Sequence, residues 1–347
     1  MSPDEVLSVA GKDAPYFRTP EFSDVVLRCE RAMLDLLHAP DGSRCVFLTA
    51  SGTGAMEAVV MDVLRPGECV AVVNGGSFGQ RFVDLCRLHG HEVDEVRLDF
   101  GKQITREMLE SCVGDAVTAL LVNMHETSSG LLYDMPLISD FCRSRGIALL
   151  VDAVSAFIAD ELDMEQLGAD VVFTGSQKGL ACHPGMSIVA LSSAAQERVD
   201  SNPEVCRYLS LKEAVRNAGR GQTPWTPAVS IMLEIDARLK AISKAGIDAE
   251  RCEISSRAFA VREALFSTSL QLVAESPSNA VSAFYCPGHN AKLIVDHAKL
   301  HYGMWLCPNG GKLVDDVFRI GHIGCITAEQ NAALVSALKQ MSADGLF

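Results

Sequence analysis

The chain alternates two hydrophobic rhythms. Short, unbroken apolar runs stand at CVFLTA (45–50), CVAVVN (69–74), AVTALLVNM (116–124), GIALLVDAVSAF (146–157), ADVVFTG (169–175) and MSIVALS (186–192). Runs of this length, without polar alternation, read as strands buried on both faces. The more polar HEVDEVRL (91–98) reads as one further strand. Residues 21–38, EFSDVVLRCERAMLDLLH, instead carry apolar positions at helical spacing with a charged opposite face. Strands alternating with helices at regular intervals predict an α/β fold: a mostly parallel, doubly wound sheet of seven strands.

After about residue 193 the rhythm changes. The proline-marked RGQTPWTPAVS (220–230) leads into a long helix near 228–245, and a second helix ends by 268. Short strands follow at LQLVAES, AVSAFYC, MWLCPNGG and VFRIGHIG. This predicts two domains: a large one over 1–245, beginning with an N-terminal arm, and a small α+β domain over 246–347.

The strand ends carry the candidate chemistry. CVFLTA runs into SGTG and then a helix, so backbone N–H groups and the hydroxyls of Ser51 and Thr53 stand at a helix N-terminus. That end bears partial positive charge and unpaired donors, and reads equally as a phosphate seat or an ordinary capped helix. Phe78 follows the second strand at a glycine-rich turn, as a stacking face or as core. Thr127 lies in HETSSG (125–130), where His125 and Glu126 lack the partners of a zinc site and read as structural or supporting residues. Asp152 ends an apolar strand, a costly place for an unpaired carboxylate. Lys178 follows ADVVFTG within GSQKGL, at the carboxyl end of a buried strand. A desolvated lysine there has a lowered pKa and forms a Schiff base with an aldehyde. Thr53, Phe78, Thr127, Asp152 and Lys178 all fall at carboxyl strand ends, where open α/β sheets bind ligands.

Composition narrows the classes. The net charge of −14, from 30 basic and 44 acidic residues, argues against a nucleic-acid partner. No apolar run approaches the ~18 residues of a membrane helix. The first residues, MSPDEVLSVAGKDAP, have neither the basic start nor the apolar core of a signal peptide, so a cytoplasmic location is expected. The twelve cysteines are scattered without a Cys-x-x-Cys pair and read as buried thiols rather than as disulfides or metal ligands.

SGTGAMEA, NGGSFGQR, HETSSG, VDAVSAF, GSQKGL, TPWTPAVS and FRIGHIG occur in that order between residues 17 and 325. In order and spacing they resemble the class V aminotransferases, pyridoxal-phosphate enzymes of fold type I. The nearest resemblance is to the alanine–glyoxylate, serine–pyruvate and 2-aminoethylphosphonate–pyruvate group. The resemblance implies that Lys178 holds the cofactor through a Schiff base and then shuttles a proton, and that Asp152 keeps the ring nitrogen protonated. It implies that Phe78 stacks on the ring, that Gly52, Thr53, Gly54 and Gln177 serve the phosphate, and that Thr127 lies beside the ring substituents. It further implies that Thr226 and Thr223 reach the phosphate in the neighbouring subunit of a homodimer, and that Arg319 clamps the substrate's carboxylate or phosphonate.

The expected reaction moves an amino group from alanine, serine or 2-aminoethylphosphonate to pyruvate or glyoxylate. The competing readings are a carbon–sulfur lyase or desulfurase of the same fold, and a cofactor-binding protein without transaminase activity. Desulfurases typically carry histidine before the lysine, where this chain has Gln177. One departure from the family pattern is the Thr-Pro-Gly-Pro-like segment that usually precedes a stretch like SPDEVL. The expectation is either an upstream start or a more open substrate side.

Overall fold

The computed structural model describes all 347 residues. The first four strands are β1 (Arg44–Leu48), β2 (Cys69–Asn74), β3 (Glu92–Arg97) and β4 (Val117–Asn123). A short hairpin follows, β5 (His125–Glu126) against β6 (Leu131–Leu132). Next come β7 (Ala148–Asp152), β8 (Ala169–Gly175) and β9 (Ser187–Leu191). Without the hairpin these strands form the main sheet, in the order β1-β9-β8-β7-β4-β2-β3. They are the seven runs read from the sequence.

The contacts among β2, β3, β4, β7 and β8 are all parallel, whereas β9 runs against both β8 and β1. The exception has a local cause. A parallel return needs a long crossover, usually through a helix. The segment between Gly175 and Ser187 holds turns and no helix, so the chain comes back antiparallel beside the strand it has just left. That turn segment carries Lys178.

Helices cover both faces of the sheet, which explains the unbroken apolar runs. Alternate strand residues feed two cores. Val70, Val72, Leu121, Leu150 and Val171 pack with Met56, Val59 and Phe82 on one side. Ala71, Val73, Leu120, Val122, Val151 and Val172 pack with Met33, Phe141 and Met232 on the other. Cys29, Cys45, Cys86, Cys142 and Cys182 are buried, and all twelve thiols are free.

The chain then passes through the helices Val229–Ala245 and Ile247–Leu265 into a second sheet. Its strands are β10 (Gln271–Leu272), β11 (Val281–Tyr285), β12 (Cys307–Pro308) and β13 (Val317–Gly321), antiparallel in the order β10-β11-β13-β12. A third core, including Leu265, Phe284, Ile294, Phe318 and Met341, lies against this sheet.

The strand order sets the site's position. From β2 the chain steps outward to β3, then returns across β2 to β4 and continues to β7 and β8. The crevice at such a reversal, beyond the carboxyl ends of the strands, is where doubly wound sheets hold ligands.

Candidate active site

At that crevice lies a cavity of about 130 Å3, lined among others by Gly52, Thr53, Phe78, Thr127, Asp152, Gln177 and Lys178. These are the seven sequence-predicted residues that the fold gathers at one point. A larger cavity of about 410 Å3, along Ser139–Arg143 and Glu161–Gln166, contains none of them.

One end of the cavity is formed by the N-terminus of the helix Gly52–Asp62. The first N–H groups of a helix have no partner within it, and the Ser51 side chain does not cap them. Gly52 allows this end to approach the chain after β7, since a Cβ there would stand 2.9 Å from Val154 Cγ2. Gly54 lies in the same first turn, behind the lining residues. Arg81, from the helix Ser77–Leu88, donates to Thr53 Oγ1 at 2.9 Å, and its guanidinium lies 4.8 Å from the centre of the Phe78 ring.

The Phe78 turn is anchored from beneath by Glu126. This fully buried carboxylate accepts from Phe78 N at 3.2 Å, Gly79 N at 3.1 Å and Asn123 Nδ2 at 3.1 Å. It also accepts from the N–H and hydroxyl of Ser128. Glu126 thus sits on the positive end of the Ser77–Leu88 helix while tying the β2 turn to the β4 turn. Gly76 leaves it the room, because a Cβ there would stand 2.5 Å from the Glu126 carboxyl carbon.

Asp152 ends β7 and is buried. Its Oδ1 accepts from Val154 N at 2.7 Å, and it forms no ion pair within the protein. Burial raises its carboxyl to about 7, against the pull of the Val154 N–H, with Glu126 raising it further and Lys178 and Arg81 lowering it. Lys178 is half-buried. Desolvation lowers its pKa, the Asp152 carboxylate opposes this, and Arg319 adds to the lowering. Its Nζ makes no hydrogen bond with the protein. Gln177 Oε1 is buried without a partner. Thr127 Oγ1 shares a hydrogen bond of 2.9 Å with Ser155 Oγ.

Arg319 comes from β13, outside the lining of this cavity. It reaches the site through the Thr127 carbonyl, to which Nη1 donates at 3.2 Å. Nη2 donates to the Pro308 carbonyl at 2.9 Å and to Cys307 Sγ at 3.3 Å, while Nε is buried and unpartnered. Thr223 and Thr226 lie elsewhere, around a small separate cavity with Phe47, Tyr208 and Trp225. Thr223 is buried and donates to the Trp225 carbonyl at 2.6 Å, whereas Thr226 is exposed.

Six lining residues carry no site role in the resemblance: Ser51, Met56, Arg81, His125, Val154 and Ser155. Arg81 carried a usable signal, standing one helical turn after Phe78 in GGSFGQR. Ser155 follows Asp152 within VDAVSAF, whereas nothing local in the sequence turns His125 toward the cavity.

The residue set fits pyridoxal phosphate. It offers an amine with a depressed pKa, a buried carboxylate lacking a cation, an aromatic face, a helix N-terminus and buried polar atoms without partners. The family model for class V aminotransferases matches residues 14–296. The chain is 30% identical over 311 residues to an L-aspartate–glyoxylate aminotransferase of Paracoccus denitrificans, covering 86% of this chain and 78% of that protein. It is 29% identical over 344 residues to the soluble hydrogenase 42 kDa subunit of Anabaena cylindrica, covering 97% of this chain and 89% of the relative. Among solved structures it matches a subgroup IV aspartate aminotransferase from Thermus thermophilus with a TM-score of 0.92 and 26% identity, over 99% and 97% of the two chains. The chain belongs to the class V aminotransferases. It is a pyridoxal-phosphate-dependent transaminase.

Proposed function

We propose that this enzyme transfers an amino group from a small amino donor to glyoxylate or pyruvate. The donors that fit are alanine, serine, 2-aminoethylphosphonate and, from the names of two relatives, aspartate. The observation that carries the reading is the convergence of Lys178, Asp152, Phe78 and the Gly52–Thr53 helix end on one cavity, with Arg319 hydrogen-bonded to its wall.

When bound, pyridoxal phosphate supplies an electrophilic carbon for the amine and an electron sink for charge developing at the donor carbon. Lys178 Nζ attaches the cofactor. With the donor bound, the free Nζ would take the proton from the donor carbon and hand it to the cofactor. Its depressed pKa favours the free amine that this task needs. Asp152 would supply the negative charge opposite a protonated ring nitrogen, and that cation would offset the penalty of keeping the carboxylate buried. Phe78 would cover one ring face and Thr127 would stand beside the ring substituents, with Gly52, Thr53, Gly54 and Gln177 holding the phosphate. Arg319 orients the donor's acidic group, held in place by the Thr127 and Pro308 carbonyls.

The remaining parts of the reading are a homodimer, two domains and a cytoplasmic location. Thr226 is exposed and Thr223 lies beside it, both outside this protomer's cavity, which suits contacts to the phosphate in a second subunit. The separate core over the second sheet supports a domain division near residue 246. Free thiols throughout suit a reducing compartment. No helix is long and apolar enough to cross a membrane.

The test is an absorbance titration of the purified protein. With pyridoxal phosphate it should turn yellow, bleach with one of L-alanine, L-serine, L-aspartate or 2-aminoethylphosphonate, and regain its colour with glyoxylate or pyruvate. A protein that takes up no cofactor, or a yellow one that answers no donor, would refute the proposal. Sulfide release from cysteine would favour the lyase reading instead.

A further inference from the structure

His125 is the most unusual polar side chain in the cavity. It is 3% exposed, and neither Nδ1 nor Nε2 has a hydrogen-bond partner. Buried polar atoms are nearly always paired, and each one left unpaired is costly. The backbone that carries the ring is held in place. It is fixed in the β5–β6 hairpin, where His125 pairs with Leu132, and the preceding Met124 N–H donates to the Asp152 carbonyl at 2.9 Å.

The charges around the ring set its protonation. Burial chiefly, then Lys178, Arg262 and Arg319, depress its pKa to about 3, so the imidazole is neutral at physiological pH. Arg262 is committed elsewhere, to Ser282 Oγ at 2.8 Å and to the Ser278 carbonyl. His125 lines the cavity with Lys178 and stands two residues before Thr127, whose carbonyl accepts from Arg319.

A neutral imidazole presents one N–H donor and one acceptor nitrogen. A hydroxyl matches it, since it both donates and accepts. An acidic oxygen satisfies the N–H alone, and a methyl group satisfies neither. We propose that His125 is a specificity-determining residue that hydrogen-bonds a side-chain oxygen of the amino donor beside Arg319, selecting oxygen-bearing donors over alanine. The inference rests on the transaminase reading above and narrows its donor class. Sites built to hydrogen-bond a substrate hydroxyl discriminate strongly against the analogue that lacks it, because the protein's own polar group is then stranded.

The test uses the pyridoxal-phosphate-loaded enzyme and two unreactive acids, L-glycerate and L-lactate. They replace the amines of serine and alanine with hydroxyls and differ by the one side-chain oxygen. Dissociation constants are read from the shift of the cofactor absorbance band or by calorimetry. The wild type should bind glycerate about ten-fold more tightly than lactate. In His125→Leu the two constants should converge to within about two-fold, and His125→Asn, which keeps an N–H donor, should restore part of the preference. The kcat/KM ratio of serine to alanine should follow the same order. The proposal is overturned by equal binding in the wild type, or by a preference that survives in His125→Leu. It is also overturned if His125→Leu no longer takes up the cofactor, since the ring would then serve the cofactor and not the donor. Failure of the wild type itself to take up pyridoxal phosphate would instead refute the parent reading.

Discussion

The two ends of the site, the cavity at Gly52–Thr53 and the Arg319 group behind the cavity wall, are built in opposite ways. The Gly52–Thr53 end is made entirely by the main sheet and the helices that follow its strands. Its cation, Arg81, is tied to Thr53 and lies over Phe78, so all three belong to neighbouring strand-to-helix turns. The Arg319 end is assembled from distant segments: β13 and β12 of the second sheet, and the β5–β6 hairpin that brings His125. The first arrangement is preorganised by local geometry and suits a part of the ligand that stays put. The second depends on how the second sheet meets the first, and suits a substrate that enters and leaves. Lys178 and Asp152 line the cavity itself.

The largest effect is expected at that centre. Lys178→Ala should abolish covalent cofactor attachment and lower turnover by roughly ten-thousand-fold. Far-UV circular dichroism should be unchanged, because a half-buried lysine without hydrogen bonds contributes little to the fold. Turnover near the normal rate would remove Lys178 from the mechanism and leave the two ends with nothing to connect.

Asp152→Asn should slow turnover by roughly a hundred- to a thousand-fold and weaken cofactor retention. It also carries a pH signature in the cofactor-free protein. The native carboxyl titrates near 7 and the unfolded one near 3.8. Between those values the native state binds more protons, so this group's contribution to stability falls as pH rises from about 4 to about 7. The whole change is about 4 kcal/mol. The amide that replaces the carboxyl does not titrate. The stability difference between variant and wild type should therefore grow in the variant's favour across that window in denaturant melts. Parallel pH profiles would mean that Asp152 is already compensated without the cofactor.

This asymmetry also explains what could be read from the sequence. Gly52, Thr53, Phe78, Thr127, Asp152, Gln177 and Lys178 each follow an apolar strand within a few residues, so finding the strand finds the residue. The strand directions were less legible. The short, helix-free turn between Gly175 and Ser187 reverses β9, a consequence of connection length that hydrophobic pattern does not express. His125 lay beyond local reading for a related reason. Its sequence neighbours suit a supporting residue, and its unpaired ring nitrogens become evident only once the fold has buried it in the cavity wall. Glu126 reads in the sequence as structural or supporting, and it anchors the two turns that frame the Phe78 ring.

Arg319→Ala tests the assembled end. It should raise KM for anionic donors about a hundred-fold, because a buried charge pair is lost when substrate binds. The affinity for pyridoxal phosphate should change little. An unchanged KM would put the clamp elsewhere. A large loss of cofactor would show that the two ends are not separable.

Arg81→Gln tests the preorganised end and is expected to have the smallest effect of the four. Arg81 donates one hydrogen bond to Thr53 and adds positive charge beside a helix N-terminus that already supplies donors. One charge-assisted hydrogen bond at a site with other partners is worth about ten-fold in affinity. The variant should therefore bind pyridoxal phosphate about ten-fold more weakly, with KM for the donor unchanged at saturating cofactor. That pattern is the mirror image of the one expected for Arg319→Ala. The substitution keeps a polar side chain within the same helix turn but removes the charge, so a loss of affinity reports the cation and not the packing over Phe78. If Arg81→Gln instead raises the donor's KM and spares cofactor affinity, Arg81 faces the substrate, and the assignment of the two ends must be reversed.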